Sequence, residues 1–295
     1  MRYLPSVSHL FTQSARLAVL ALSITAATQA SAAVLAYWRF EGADASSYLA
    51  DSSGNDRTLS DYGSSAISTV TPPAGFWDYV QEPGVGTFAN TQSAGMTSNT
   101  TKLAATMTGV SFSSATVEVL VNLTDFSKGT TLVSQGSSMA GGAWGFNVTA
   151  DPSSLGARNL LFVYHTDATG TAKVTIDSNI QLTASTSYYL AVAYDIAAGN
   201  FTFYYQDLDD PESTLQSVTK TVASGTIYGS TLDVNVGGYT SFNTLTGTID
   251  EVRISAGQLA SNQLLVGVPE PATMSMIFGV SALLVGLVYR RKRNR

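Results

Sequence analysis

Carboxylates dominate the reactive side chains of this chain: 21 Asp and Glu stand against two His and no Cys in 295 residues. Without cysteine there is no thiol nucleophile, thiolate metal site, iron–sulfur cluster or disulfide. His9 lies near the extreme N-terminus, which leaves His165 as the one histidine in the body of the chain. Glycoside hydrolysis by a carboxyl pair needs the two groups about 5–9.5 Å apart across a cleft. On a strand that means even spacing, since alternate residues share a face. No Glu-x-Asp-x-Glu string occurs. Asp250 and Glu251 are adjacent and are expected to point to opposite faces, and Glu118 stands alone between Val117 and Val119. Asp207, Asp209, Asp210 and Glu212 crowd around Pro211 in what reads as a solvated acidic turn. Lyase chemistry would draw on His, Tyr and Arg. His165 sits in the apolar run LLFVYHTD with Tyr164 on the other side of the strand, the pattern of a packed residue. There is no Ser-His-Asp elbow, P-loop or dinucleotide fingerprint. No catalytic residue is assigned, so a polysaccharide-degrading hydrolase or lyase is the alternative and not the leading expectation.

Two other kinds of site are open to these residues. Asp51 and Asn55, in the turn DSSGN, offer the oxygen ligands a calcium ion prefers, although the same residues are ordinary turn formers. Trp77 and Tyr79, in the Pro- and Gly-flanked stretch PPAGFWDYV, and Trp144, after Gly141 and Gly142, are the candidates for stacking against a sugar ring. Trp38, inside the first apolar segment, is expected in the core.

The elements that position these residues are short strands. Val117, Val119 and Val121 fall on one side of a strand, with Glu118 and Asn122 on the other. Residues 188–195, YYLAVAYD, have the near-continuous apolar character of a strand buried on both faces. They lead through Ala197-Ala198-Gly199-Asn200 into the alternating run 201–205, a predicted hairpin. Further strands are expected at 34–41, 86–89, 131–134, 145–149, 160–166, 172–176, 215–222, 232–236 and 247–255, with one helical turn at 261–266. Residues 60–114 carry the weakest pattern. A dozen short strands without helical crossovers predict an all-β, two-sheet antiparallel β-sandwich of the jelly-roll kind.

Several stretches resemble laminin-G-like, concanavalin-A-like domains. They are AYWRFEG at 36–42 with DSSGN at 51–55, and ATVEVLVNL at 115–123 with TLVSQG at 131–136. SYYLAVAYD at 187–195 with FTFYYQD at 201–207, LDVNVGGY at 232–239 and LTGTIDEVRIS at 245–255 complete the set. Tyr188 or Tyr189 stands where many members carry Trp. The resemblance spans nearly all of 33–255 and implies a curved jelly roll. It also implies a structural calcium ion (Ca2+) between the early loop and the late strand, with Asp51, Asn55 and Asp250 as its ligands. It does not choose among lectin, hydrolase and spacer.

Both ends point to export. Arg2 and Arg16 precede the apolar stretch 17–28, and Ala30-Ser31-Ala32 supplies a small-x-small cleavage site, so residues 1–32 read as a signal peptide. At the other end, Pro269-Glu270-Pro271 is followed by an uncharged run over 272–289 and then by Arg290, Arg291, Lys292, Arg293 and Arg295. Eighteen residues of helix span about 27 Å, close to the hydrocarbon thickness of a bilayer. Motif, apolar run and basic cluster in this order resemble the PEP-CTERM sorting signal of Gram-negative bacteria that secrete polysaccharide. The resemblance implies an exosortase-type membrane protease as partner, an inner-membrane stage through the C-terminal helix, and a final place at the cell surface or in the extracellular matrix. The expected division is therefore 1–32 signal peptide, 33–266 laminin-G-like domain, 267–295 sorting segment. Eight basic residues face all 21 acidic ones between 33 and 271, a net charge of −13 for that span. Such a surface excludes nucleic acid as a partner. A polysaccharide or a matrix protein is the expected ligand.

Overall fold

The computed structural model describes residues 32–42, 44–61, 67–76, 79–82, 86–96, 103–136, 142–238 and 244–266. In chain order the strands are β1 (Val34–Trp38), β2 (Ser60–Asp61), β3 (Ser68–Val70), β4 (Tyr79–Glu82), β5 (Gly86–Ala89), β6 (Ser93–Met96), β7 (Leu103–Ala105), β8 (Ser114–Leu123) and β9 (Thr130–Gln135). They continue as β10 (Trp144–Val148), β11 (Asn159–His165), β12 (Lys173–Gln181), β13 (Ser187–Asp195), β14 (Asn200–Asp207), β15 (Gln216–Thr221), β16 (Val234–Val236) and β17 (Gly247–Ala256). Helix is confined, among the described residues, to α1 (Ala45–Tyr48) and one 3-10 turn at Ser261–Gln263. No described helix is long and apolar enough to cross a membrane.

Every strand expected from the pattern has its counterpart. The five the sequence did not reveal, β2, β3, β4, β6 and β7, lie in the stretch of weak periodicity and are two to four residues long. The first sheet runs β15-β14-β13-β8-β17-β6-β3, with β1 also paired to β17. The second runs β12-β11-β10-β9-β16-β7-β2, and β4-β5 form a separate ribbon. All pairings are antiparallel, for example Leu190 opposite Val119 and Tyr205.

Alternation decides which side chains meet between the sheets. Val117, Val119, Val121, Leu190, Val192 and Tyr194 from the first sheet pack with Trp144, Phe146, Phe162 and Tyr164 from the second in one continuous core. The rings of Tyr194, Phe162 and Phe201 pack at centroid distances of 4.4–6.1 Å, Tyr194 stacked on Phe201 and Phe162 tilted against both. Each such fully buried side chain contributes roughly 1.5–3 kcal/mol. The outer face of the first sheet is buried as well. Tyr37, Leu120, Tyr189, Ala191 and Ala193 form a second cluster, closed by Leu259, Leu264 and Leu265 from the segment that follows β17. This accounts for the strand YYLAVAY being apolar on both faces: β13 has the core on one side and this C-terminal strap on the other.

Candidate functional site

At one end of the sandwich a loop without regular structure, residues 222–233, crosses from the first sheet to the second. Backbone bonds fix its course. Val222 N–H donates to Gly199 O (2.9 Å), Gly225 N–H to Ile196 O (3.0 Å) and Tyr228 N–H to His165 O (2.8 Å). The Gln135 side chain holds the far end, its Nε2 donating to Ser230 O (3.0 Å) and Leu232 O (3.3 Å). Gly199 has φ +70°, and a Cβ there would stand 2.1 Å from Val222 O, so the hairpin turn lets the loop pass only because it is glycine.

Under this loop lies a pocket of about 300 Å³. Its apolar part is Val110, Phe112, Ile196 and Ile227; Ser111, Ser113, Gln135, Thr226, Tyr228 and Ser230 bring hydroxyl and amide groups. Phe112 backs onto Trp144 at 5.2 Å, and Trp144 onto Phe162 at 6.0 Å, so the floor is continuous with the core. Gly225 is pressed against Tyr164: a Cβ would lie 2.9 Å from that hydroxyl. None of the lining residues is charged. The pocket can make hydrogen bonds and apolar contacts; it has no carboxylate, imidazole, amine or guanidinium, and Tyr228 is its one phenol.

The ionisable groups are instead gathered under the strap. Glu118, fully buried, accepts Arg253 Nε (2.5 Å), Tyr189 Oη (2.8 Å) and Leu265 N–H (2.8 Å). Arg253 Nη2 reaches Gln263 O at 2.9 Å. Burial alone would lower the Arg253 pKa, but the Glu118 carboxylate holds it above the ordinary value. Tyr189 is pushed up by burial first and by Glu118 second. Nearby, Glu251 accepts the Tyr37 hydroxyl and pairs with Arg39 Nε at 3.4 Å. Asp250 accepts Ser93 Oγ (2.6 Å) and Glu251 N–H (2.8 Å), and burial, then the Glu251 charge, raise its pKa well above the carboxylate range. These carboxylates bind backbone and side-chain donors of their own domain.

No family model matches this sequence, and no curated protein matches it. Solved structures do. Domain 4 of AbnA, a family GH43 extracellular arabinanase from Geobacillus stearothermophilus in complex with arabinotriose, superposes with TM-score 0.53 and 16% identity, over 79% of this chain and 97% of that one. The botulinum neurotoxin type G receptor-binding domain gives TM-score 0.49 and 13% identity over 79% of this chain and 50% of that one. The CBM40 module of Ruminococcus gnavus IT-sialidase, bound to α2,3-sialyllactose, gives 0.39 and 15% over 52% and 83%. What the arabinanase domain shares is the fold.

The sandwich places the expected site residues apart from one another. Trp144 is fully buried in the core and has no face for a sugar, which corrects the stacking assignment: its strand lies mid-sheet. Tyr79 opens β4 in the separate ribbon, and Trp77 lies outside the described residues. Trp38 is in the core as expected, its Nε1 donating to Arg57 O at 2.7 Å.

Each residue of the expected calcium set is engaged by partners within the protein, Asp250 as described above. Asp51 Oδ1 accepts Tyr37 N–H (3.0 Å) and Ser53 N–H (2.9 Å), and its Oδ2 accepts Ser53 Oγ (2.8 Å) and Arg57 N–H (3.0 Å). Asn55 turns its Nδ2 to Val34 O (2.9 Å) and Leu35 O (3.2 Å). Asp51 bridges to Trp38 on one edge of β1, whereas β17 lies along the other edge. Two strand spacings, about 9.5 Å, thus separate the Asp51 turn from the strand of Asp250. Among the described residues no group of three His, Cys, Asp or Glu is placed to hold a metal.

Asp250 and Glu251 do not face apart either. The register of β17 against β8 shifts between Asp250 and Arg253, and Glu251 has φ +48°. The extra residue of this β-bulge returns Glu251 to the side of the sheet that Asp250 occupies. Asp207 and Asp210 accept the amides of Asp209 and Glu212 at 3.0 Å each, the acidic turn read from the sequence. Pro269, Glu270, Pro271 and the cluster Arg290, Arg291, Lys292, Arg293, Arg295 lie outside the described residues. The pocket residues were not foreseen. The signal available was the gap between the strands expected at 215–222 and 232–236, a Ser-, Thr-, Tyr- and Gly-rich stretch.

Proposed function

We propose that this chain is an exported carbohydrate-binding protein of the cell surface or polysaccharide matrix, and that the pocket beneath residues 222–233 is its ligand site. The pocket carries the proposal. An apolar floor with a rim of hydroxyl and amide groups matches the two aspects of a sugar, its C–H face and its hydroxyls. The sandwich fold, shared with the arabinanase domain that holds arabinotriose, supports it. A polysaccharide hydrolase or lyase would need a proton donor and acceptor at the ligand. The pocket lining has no carboxylate or imidazole and offers only the Tyr228 phenol beside aliphatic hydroxyls, and Glu118, Asp250 and Glu251 are buried in structural contacts.

The tail completes the proposal. Residues 1–32 direct export, and the segment 272–289 holds the chain in the inner membrane. An exosortase-type protease then acts at Pro269-Glu270-Pro271. This part rests on the order of motif, apolar run and basic cluster in the sequence.

Glycan-array binding by the full-length chain in detergent tests the ligand site. The expected result is binding to a defined set of glycans, weakened at least tenfold by Tyr228→Ala, which removes rim contacts from the pocket. No binding above background, or identical binding by the variant, would remove the pocket from the account.

A further inference from the structure

Building on the carbohydrate-binding proposal, we infer that the pocket takes an uncharged sugar unit of a glycan, with one apolar edge of the sugar against its floor. Three observations lead there. The first is charge. The lining has no Lys, Arg or His to neutralise a carboxylate, sulfate or phosphate, and no Asp or Glu to receive an amino sugar. The exported span adds a surplus of 21 acidic over eight basic residues, a field that repels anions. An ionised group in a half-enclosed pocket without a counter-charge loses hydration and gains nothing in return.

The second is closure. Ile196 and Phe112 are buried, and the backbone of Gly225 is seated on Tyr164 with no room for even a methyl group. The pocket is therefore walled on that side, and the sugar meets it from the open rim. The volume of about 300 Å³ is at the lower limit for small-molecule sites, which suits one or two rings. The third is the floor itself. Val110, Phe112, Ile196 and Ile227 provide no hydrogen-bond partner, so a sugar hydroxyl directed at them goes unpaired, whereas a C–H edge or a methyl group is accommodated.

Congeners that differ at one carbon separate these effects. D-Galactose, D-fucose and D-galacturonic acid differ only in carrying CH₂OH, CH₃ or COO⁻ at C6; the gluco and manno series give parallel sets. Each is presented as the terminal unit of the same immobilised linker and titrated with the full-length protein in detergent. In at least one series the two neutral congeners should bind, the methyl one no more weakly than the hydroxymethyl one. The uronate should bind at least tenfold more weakly, at low and at high salt. A uronate that binds within tenfold of its neutral congeners, or more tightly, overturns the inference while leaving carbohydrate binding in place. Absence of binding in every series overturns both.

A gain-of-function arm ties the result to the pocket. Thr226→Arg places a cation on the exposed rim and should raise uronate affinity at least fivefold without raising that of the neutral sugars. Ser113→Arg, from a different strand end, should do the same. If both folded variants leave the uronate unchanged, the neutral preference does not arise in this pocket, and the inference falls.

Discussion

Asp250 shows how one backbone residue out of register rearranges local chemistry. Adjacent strand residues alternate in face, so Asp250 and Glu251 read from the sequence as divergent. The bulge at Glu251 puts both carboxyl groups on the same buried side, each raising the cost of charging the other. Nothing in the residue types announces that bulge, because Glu251 is not one of the residues that favour a positive φ. The consequence is a pH-dependent stability. The folded pKa of Asp250 is raised above its unfolded value of about 3.9, so the native state holds the proton more tightly. That contribution is fully present below about pH 4 and is lost as pH rises through the raised folded value. Asp250→Asn keeps an oxygen for the Glu251 amide and an NH₂ for Ser93 Oγ without the charge. Its melting temperature should match the wild type at pH 4 and exceed it at pH 8 by about 2–4 °C, the shift that roughly 1 kcal/mol gives in a domain of this size. Parallel melting curves against pH for the two proteins would refute this account of Asp250.

At the scale of elements, legibility followed strand length and the number of faces buried. The long strands β8, β13 and β14 carry enough alternating or continuous apolar residues to declare themselves. Ser60–Asp61, Ser68–Val70 and Leu103–Ala105 are too short to show a period and owe their pairing to neighbours already in place. The pocket was illegible for a related reason. Val110–Ser113, Gln135, Ile196 and residues 225–230 come from four distant parts of the chain, and only the closed sandwich brings them to one end. The strap was half visible. The double-sided apolarity of residues 188–194 demanded a cover, but not that nine residues after β17 would supply it through Glu118 and Arg253. Removing one member of a buried ion pair strands the other and costs about 3–5 kcal/mol. Glu118→Gln and Arg253→Met should each destabilise by that amount in denaturant melts, and the double variant by less than their sum, with a coupling of at least about 1 kcal/mol. Amide exchange at Leu265 should accelerate in both single variants. Strict additivity, or an unchanged Leu265 amide, would mean that the pair does not hold the strap.

For the whole molecule the distribution of charge and the seating of the strap bear on sorting together. All acidic residues fall between 33 and 271, and the basic cluster stands behind the uncharged run 272–289, so the chain is polarised along its length. On the proposed export route a cluster of this kind resists translocation and is expected to stay on the cytoplasmic side, with the acidic domain outside. The strap is packed as far as Leu265, with Val266 against it. Pro269 follows three residues later, a reach of at most about 10 Å of extended chain. A protease that recognises the motif must therefore work next to the domain, on a segment whose extended backbone the two prolines pre-set and whose one charge is Glu270. Glu270→Ala removes that charge and leaves the domain and the apolar run intact. In cells of the source organism the variant should accumulate at full length in the inner-membrane fraction, while the wild type is shortened and released. Insertion of a flexible Gly-Ser linker between Val266 and Pro269 should leave release intact or speed it, since it relieves crowding without altering the motif. If Glu270→Ala is shortened and released at the wild-type rate, the motif is not what the protease reads, and the C-terminal segment is a plain membrane anchor.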